Sequence, residues 1–414
     1  MSVDRGIAAP HCRLCGRPLE QTFADLGETP LANRNLKPGE EACEKRYPLI
    51  ARVCGTCMLV QVDSSVPPEE IFSDYDYFSS TSTQWVAHAR QYAEAMRRRF
   101  DLGGASMVVE IASNDGYLLQ HFKAAAIPVL GVEPAANVAA KAIAGGIRTE
   151  VAFFGVETAE RLRKDGFAAD LMAANNVLAH VPDVVDFAGG FAVLLKPEGV
   201  ATFEFPHILR LIEGAQFDTI YHEHFFYLSL LAAERILKAA GLRVFDVEEL
   251  TSHGGSLRIF VCRENAAHET TSRLEALRAL ERAAGLDELS GYAGLAPRIE
   301  RAKASFLDFL ARAKAEGKTV AAYGAAAKGN TFLNVCKVRH PDIVAVYDAN
   351  PSKQNKLTPG SHIPILPPAR MLDQRPDFVV ILPWNIADEI LAVLRPLSDW
   401  HGRAVVAIPE TRIL

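Results

Sequence analysis

Short apolar runs that end in polar turns indicate where strands and helices lie in the middle of the chain. The run at 107–112 ends in Ser-Asn-Asp-Gly at 113–116, a pattern typical of a buried parallel strand, a tight loop and then a helix. A second run, at 128–132, ends in Glu133-Pro134 about twenty residues further on. An acidic side chain there can accept hydrogen bonds from a ribose, so the pattern predicts a nucleoside-binding, doubly wound domain.

The alternation continues beyond these two strands, which predicts a parallel sheet with helices on both faces. Ala112 stands where glycine is usual in G-x-G-x-x-G, so the first turn does not by itself identify a cofactor. Ligands belong at the carboxyl ends of such strands, where 112–116, 133, 175–180 and 204–207 fall. The expected helices are 84–100, 117–125, 136–144, 156–164, 184–195 and 229–240. The expected further strands are 147–149, 169–173, 199–204 (after a turn at 196–199), 244–248 and 256–262.

A second, smaller doubly wound unit is predicted near the end of the chain, with strands at 319–323, 343–347 and 378–382. Its first strand leads into Gly-Ala-Ala-Ala-Lys-Gly-Asn at 324–330, before a helix predicted at 331–336. A glycine-rich turn at a helix N-terminus offers N–H groups to an anion, and Lys328 adds a positive charge. The alternative is a structural turn packed against a neighbouring element.

Four of the seven cysteines form two identical pairs, Cys12-x-x-Cys15 and Cys54-x-x-Cys57. Four thiolates at this spacing suit tetrahedral zinc, and a site filled by four sulfurs is structural rather than catalytic. Four reduced thiols or a redox pair are the alternatives. The other three cysteines are isolated and are assigned no chemistry.

The fold class predicted from these patterns is α/β with three parts and a connection. Residues 1–70 form a small zinc-binding module, 71–263 a central doubly wound Rossmann-like domain, 264–300 a helical connection, and 301–414 a second Rossmann-like domain. The net charge of −6 gives no general attraction to nucleic acid or to an anionic membrane. Because no apolar run reaches membrane-spanning length and the start has no secretory pattern, we expect a cytoplasmic protein.

Proton-transfer groups are concentrated at 217–227, where Tyr221, His222, Glu223 and His224 follow one another. An imidazole is the natural base near neutral pH, a neighbouring carboxylate could fix its tautomer, and a phenol could donate to a developing oxyanion. We favour this functional interpretation over a polar surface loop because the segment follows the predicted strand at 199–204 and so lies over the ligand edge. The aromatic loop at 71–80 either lines a ligand site or packs the zinc module.

Several motifs occur together in one order and carry a resemblance to a known family. They are the two cysteine pairs, Tyr-Phe-Ser-Ser at 77–80, Val-Glu-Ile-x-x-Asn-Asp-Gly at 109–116, Gly-Val-Glu-Pro at 131–134, Asn-Asn-Val-x-x-His-Val-Pro-Asp at 175–183, Tyr-His-Glu-His-Phe at 221–225, Ser-His-Gly-Gly-Ser-Leu-Arg at 252–258 and Tyr-Gly-Ala-Ala-Ala-Lys-Gly-Asn at 323–330. In this combination the whole chain resembles the three-domain S-adenosylmethionine-dependent C-methyltransferases that act on nucleotide-linked 4-keto-deoxysugars.

The resemblance implies a role for each matching position. S-adenosylmethionine would be held by Glu110, Ala112, Asn114, Gly116, Glu133, Pro134, Asn175 and Asn176. The catalytic group would comprise His224 as general base, with Glu223, Tyr221, His180 and either Tyr75 or Tyr77. The nucleotide-linked 4-keto-sugar would face Ser256, Arg258, Lys328 and Asn330. The expected assembly is a monomer or a small homo-oligomer.

Three other functions compete with this interpretation. An O- or N-methyltransferase would act on an acceptor that is already nucleophilic and would need no base beside a ketone. A nicotinamide cofactor at the C-terminal glycine-rich turn would make the protein a nucleotide-sugar oxidoreductase. A zinc-dependent adaptor or nucleic-acid-binding protein is disfavoured by the negative net charge.

Overall fold

The computed structural model describes residues 10–63, 66 and 78–414, and its strands form three sheets. Tyr75 and Tyr77 lie outside the described residues. In chain order the strands are β1 Gln21–Thr29, β2 Tyr47–Val53, β3 Val60–Val62, β4 Val108–Ile111, β5 Val129–Val132, β6 Thr149–Glu150, β7 Ala169–Asn175, β8 Leu195–Pro206, β9 Phe226–Tyr227, β10 Leu242–Leu250, β11 Ser256–Arg263, β12 Val320–Tyr323, β13 Val346–Tyr347, β14 Ile365–Leu366, β15 Phe378–Ile381, β16 Arg403–Val406 and β17 Arg412–Ile413.

The α-helices of the described residues connect these strands. They are α1 Thr83–Arg99, α2 Leu119–Ala124, α3 Ala136–Ala144, α4 Val156–Lys164, α5 Val184–Leu194, α6 Ile208–Glu213, α7 Leu230–Ala239, α8 Ser272–Ala283, α9 Leu295–Ala315, α10 Ala327–Val335, α11 Ala369–Gln374 and α12 Ala387–Val393. None of them combines the length and apolarity that a bilayer crossing requires.

The central sheet has seven strands in the order β10-β11-β8-β7-β4-β5-β6. The five strands from β8 to β6 are parallel, and β11 and β10 extend the β8 edge in antiparallel fashion. The C-terminal sheet has the order β14-β13-β12-β15-β16-β17, and only its last pair is antiparallel. These two sheets confirm the predicted α/β architecture with two doubly wound units.

The N-terminal sheet is antiparallel, and its fourth strand comes from a distant part of the chain. Strands β1, β2 and β3 are neighbours in sequence, whereas β9 joins the edge at β3 through the pairs Val60 with Tyr227 and Gln61 with Phe226. Strand β9 begins two residues after His224. The cysteine-rich module therefore shares a sheet with the segment that was predicted to carry the base.

Apolar contacts also connect the N-terminal module to the central and C-terminal domains. Cys12, Cys54 and Cys57 are buried in the same cluster as the central sheet. Side chains of β1 to β3 pack in a second cluster with Phe306 of α9 and Phe332 of α10. The N-terminal module is thus packed against both of the larger sheets.

Several predicted boundaries differ from the structure, and two of the differences have local physical reasons. The turn predicted at 196–199 is instead part of β8, where a register shift against β7 between Ala169 and Leu171 accommodates the extra residues as a bulge. The helix predicted to begin at 331 begins at Ala327, because the Ala-Ala-Ala-Lys run has high helix propensity. Lys328 and Asn330 consequently lie in the first turn of α10 rather than in a loop.

Candidate active site

The four predicted zinc ligands meet in one cluster. Their Sγ atoms all lie within 4.8 Å of one another, and the closest pairs, Cys12 with Cys57 and Cys15 with Cys54, are 3.5 Å apart. Gln61 Nε2 donates to Cys12 Sγ over 3.2 Å, which stabilises a thiolate ligand. Four convergent sulfurs are the donor set that tetrahedral zinc requires, so the residues fit the ion.

The turn after β4 is shaped for close approach of a ligand to the backbone. Ala112, Asn114 and Gly116 have φ values of 53°, 50° and 81°, so three of five consecutive residues are in the left-handed region. A Cβ atom at Gly116 would lie 3.0 Å from Ile147 Cγ1, a tight contact, so both the positive φ and the limited space favour glycine here.

Glu133, which follows the neighbouring strand β5, makes a hydrogen bond to this turn. Glu133 Oε2 accepts from Asn114 N at 2.9 Å, and Oε1 accepts from Ala135 N at 2.8 Å across Pro134. Burial raises the pKa of Glu133, and these two hydrogen bonds oppose that shift. Each carboxylate oxygen keeps a second lone pair that can accept a ligand hydroxyl.

Several buried acceptors at this edge have no hydrogen-bond partner among the described residues. They are Glu110 Oε2, Ser113 Oγ, Asn175 Oδ1 and Asn176 Oδ1. Burial raises the pKa of Glu110 well above its ordinary value, against a hydrogen bond from Tyr117 that lowers it. Unsatisfied buried acceptors are costly, so this edge fits a ligand rich in hydroxyl and amino donors, as S-adenosylmethionine is.

An aromatic wall beside these acceptors was missed by the sequence analysis. The Trp85 ring is stacked 4.9 Å from that of His88 and 6.1 Å from that of Tyr117. Trp85 and His88 lie on α1 and are half-buried, so the hydrophobic pattern of the helix does not single them out. Three aromatic rings near buried acceptors are typical of a nucleoside pocket.

Ser256 and Arg258, which were expected to face the substrate, make their hydrogen bonds within the protein. Arg258 Nη2 donates to Glu204 Oε2 at 2.9 Å, and Nη1 donates to Glu248. Ser256 Oγ donates to the carbonyl of Ser252, whose own Oγ donates to Glu204 Oε1. Both residues therefore support Glu204, at the carboxyl end of β8.

The predicted base lies in a turn, in which His224 N donates to Tyr221 O at 2.9 Å. His222 points into the N-terminal module, where its Nε2 donates to Pro48 O at 3.2 Å. The Glu223 carboxylate accepts a hydrogen bond from Asn33 Nδ2 at 3.2 Å, not from an imidazole.

The tautomer of His224 is fixed by a backbone carbonyl, not by the expected carboxylate. Nδ1 lies 2.9 Å from Thr219 O, and a carbonyl only accepts, so Nδ1 carries the proton and Nε2 is the basic nitrogen. The ring centroid of Tyr221 lies 4.0 Å away and that of His180 lies 4.6 Å away. The structure thus brings together His224, His180 and Tyr221, three of the predicted catalytic residues.

Burial keeps these imidazoles neutral. It lowers the pKa of His224 well below its ordinary range; the neighbouring His180, His253 and Lys328 act in the same direction, and the hydrogen bond to Thr219 opposes the shift. Burial likewise lowers the pKa of His180 and of His253 to about 4. His253 also has a φ of 55°, and a strained non-glycine backbone is characteristic of functional sites.

Residues of the C-terminal domain lie near this group of side chains. Lys328 Nζ donates to Asn385 Oδ1 at 2.6 Å and lies 4.9 Å from the Trp384 ring centroid. Trp384 Nε1 donates to Asp218 Oδ2 at 2.7 Å, which joins the two Rossmann-like sheets. Asn330 is turned toward the N-terminal module, where its Nδ2 donates to Ala32 O.

Comparison with known proteins agrees with this architecture. Family models match residues 12–72 (a zinc binding domain), 85–247 (a methyltransferase domain) and 251–409 (a C-methyltransferase C-terminal domain). The curated protein C-methyltransferase NovU from Streptomyces niveus is 35% identical over 404 residues, which cover 97% of this chain and 96% of NovU.

Likeness to solved structures is remote. An S-adenosylmethionine-dependent methyltransferase from Clostridium acetobutylicum has a TM-score of 0.35 and 11% identity, covering 45% of this chain and 93% of its own. Magnesium protoporphyrin IX methyltransferase from Synechocystis PCC 6803 has a TM-score of 0.33 and 13% identity, covering 47% and 88%. Similarity this low supports no conclusion about the site.

The matching family models and the cysteine cluster define an S-adenosylmethionine-dependent methyltransferase with a zinc-binding domain. This confirms the two predicted cofactors, S-adenosylmethionine and zinc. The match to NovU along nearly the full length of both chains narrows the class further: the chain belongs to the C-methyltransferase family.

Proposed function

We propose that the acceptor is a nucleotide-linked 4-keto-deoxysugar and that His224 removes a hydrogen from the ring carbon next to the ketone. The observation that carries this proposal is the fixed tautomer of His224, which leaves Nε2 unprotonated at the carboxyl edge of the central sheet. A carbon acceptor needs such a base, because a C–H bond next to a ketone is only weakly acidic near neutral pH.

The proposed reaction has two stages. His224 Nε2 takes the proton, the C–H electron pair forms a C=C bond, and the former C=O π pair moves onto oxygen. When bound, S-adenosylmethionine supplies the electrophilic methyl group, to which the enolate carbon bonds as the thioether leaves. The ketone is thereby restored, and His224 later releases its proton to solvent.

The neighbouring side chains have supporting roles in this proposal. The Tyr221 hydroxyl is a neutral donor for the enolate oxygen, and the edge formed by Glu110, Glu133 and Asn175 holds the cofactor. His180 Nδ1 lies 2.8 Å from Glu223 O, so Nδ1 carries the proton, and in this proposal the unprotonated Nε2 orients the sugar. We retain Tyr75 and Tyr77 as candidates for the same pocket.

The test is a paired panel of substrates. Nucleotide-linked 4-keto-deoxysugars and the same sugars reduced to 4-alcohols are incubated with protein and S-adenosylmethionine, and products are weighed by mass spectrometry. We expect one added methyl group on a keto sugar and none on its reduced partner, because only the ketone permits an enolate. Equal methylation of a reduced partner would point to transfer onto oxygen.

A further inference from the structure

The side chains around Lys328 form a cluster that the proposed function leaves partly unexplained. We define the Lys328 cluster as Asp218, Lys328, Trp384 and Asn385, which are joined by the contacts described above. It spans the boundary between the central and C-terminal sheets. The cluster is tied to the base through the backbone, because Thr219, whose carbonyl binds His224 Nδ1, follows Asp218 directly.

The charges in this cluster nearly cancel. Lys328 and Asp218 bear opposite charges, and burial lowers the pKa of Lys328 while raising the pKa of Asp218 to about 6. Among the described residues, no other lysine or arginine makes a hydrogen bond or ring contact with the cluster. The nearby Arg210, packed against Gly255, is already paired with Glu213 and Glu249.

This balance does not suit a diphosphate group. A diphosphate carries at least two negative charges and is usually held by several cations or many N–H groups. Here one ammonium is opposed by one buried carboxylate. A single negative charge that develops only during the reaction matches such a site better, because a desolvated ammonium stabilises it strongly without binding the ground state tightly.

We propose, on the basis of the function proposed above, that the Lys328 ammonium stabilises the negative charge on the ketone oxygen during enolate formation. Asn385 and the Trp384 ring hold the ammonium, and Asp218 fixes Trp384 through its indole N–H. Tyr221 then supplies a neutral hydrogen bond to the same oxygen, and Lys328 supplies the charged one, which is roughly twice as strong. The diphosphate of the substrate binds elsewhere.

The experiment separates enolate formation from methyl transfer and from nucleotide binding. Each protein is incubated in D2O with S-adenosylhomocysteine and with the keto sugar that the wild-type protein methylates. Exchange of the hydrogen next to the ketone is followed by NMR. Binding of thymidine diphosphate and of uridine diphosphate is measured by calorimetry. Lys328→Met is compared with Lys318→Met, a matched control in the same domain, which removes the charge of a lysine that precedes β12 and is paired with Asp377.

We expect Lys328→Met to slow both exchange and methyl transfer by about 10²–10³-fold, the range for loss of one oxyanion donor. Its Kd for either nucleoside diphosphate should stay within about threefold of wild type, and Lys318→Met should behave as wild type. Lys328→Gln repeats the comparison if the methionine variant no longer binds S-adenosylmethionine, and Lys328→Arg should recover part of the rate.

Two results would overturn the assignment. Exchange by Lys328→Met within about threefold of wild type would mean that the ammonium does not act on the enolate. Nucleoside diphosphate binding weakened about tenfold or more, with kcat preserved, would instead make Lys328 a diphosphate ligand. If the wild-type protein methylates no keto sugar, the underlying function fails rather than this assignment.

Discussion

Replacing His224 with asparagine removes the proposed base while it preserves a hydrogen-bond donor near the Nδ1 position. The native Nδ1–H donates to Thr219 O over 2.9 Å, and an asparagine Nδ2 group can reach the same carbonyl. The turn between Tyr221 and His224 is made by the backbone, so the substitution leaves it intact. The variant therefore tests how much the basic Nε2 nitrogen contributes to the rate of methyl transfer.

The expected loss of rate follows from the removal of the general base. General base catalysis by a positioned side chain contributes about 10²–10⁴-fold, and each factor of ten corresponds to about 1.36 kcal/mol of activation free energy. We therefore expect His224→Asn to raise the barrier by about 2.7–5.4 kcal/mol. The change in unfolding free energy should be no larger than about 0.5–1.5 kcal/mol, the value of one hydrogen bond.

Single-turnover methyl transfer measures this loss, with S-adenosylmethionine binding by calorimetry as the check on the fold. The matched control is His222→Asn, because His222 is buried two residues away but donates to Pro48 in the N-terminal module. We expect the control to lose stability and to keep most of its rate. A His224→Asn rate within about threefold of wild type would refute the assignment of the base.

Three further predictions concern zinc, the cofactor and pH. Cys54→Ser should lower the zinc content below one per chain and slow methyl transfer, since β3 and β9 connect the cysteine cluster to the base; metal analysis and the transfer assay check this. Glu133→Gln should weaken S-adenosylmethionine binding about tenfold by calorimetry, because a charged hydrogen bond to the cofactor becomes neutral. The folded-state pKa of His180 and of His253 is about 4 and the unfolded value is about 6.5, so the unfolded chain binds more protons in this window. The free energy of unfolding should therefore fall by up to about 1.4 kcal/mol per pH unit for each histidine as the pH drops from 6.5 toward 4, measured by urea titration.

Each of these predictions has a control within the chain. Cys43→Ser removes an exposed cysteine outside the zinc cluster and should leave zinc content unchanged. Glu150→Gln alters a surface carboxylate paired with Arg161 and should not affect the cofactor, so equal losses in it and in Glu133→Gln would contradict the assignment. Replacing His180 and His253 together by glutamine should reduce the acid slope and leave the share that His224 contributes, whereas an unchanged slope would place its origin elsewhere.

The sequence was sufficient for the parts of the fold that local patterns determine. Helices α3 and α4 begin and end at the predicted residues, and the cysteine pairs converge as their spacing indicated. The left-handed turn around Asn114 and the acid at Glu133 were recognisable because strand, turn and acid lie within one short stretch of chain.

Contacts between distant segments could not be predicted in the same way. Nothing near His224 in the sequence indicates that β9 joins the edge of the N-terminal sheet or that Glu223 turns toward Asn33. The link from Trp384 to Asp218 joins segments more than 160 residues apart in the sequence, and only the folded chain reveals it. For the same reason the tautomer of His224 was assigned to a carboxylate next to it in sequence, whereas a carbonyl five residues away fixes it.

The most direct test of the central claim is to locate the transferred methyl group. The protein is supplied with a 4-keto nucleotide sugar and with S-adenosylmethionine labelled with ¹³C in its methyl group, and the purified product is analysed by NMR. The account predicts that the labelled carbon is bonded to the ring carbon next to the ketone. A labelled carbon bonded to oxygen or nitrogen would contradict it.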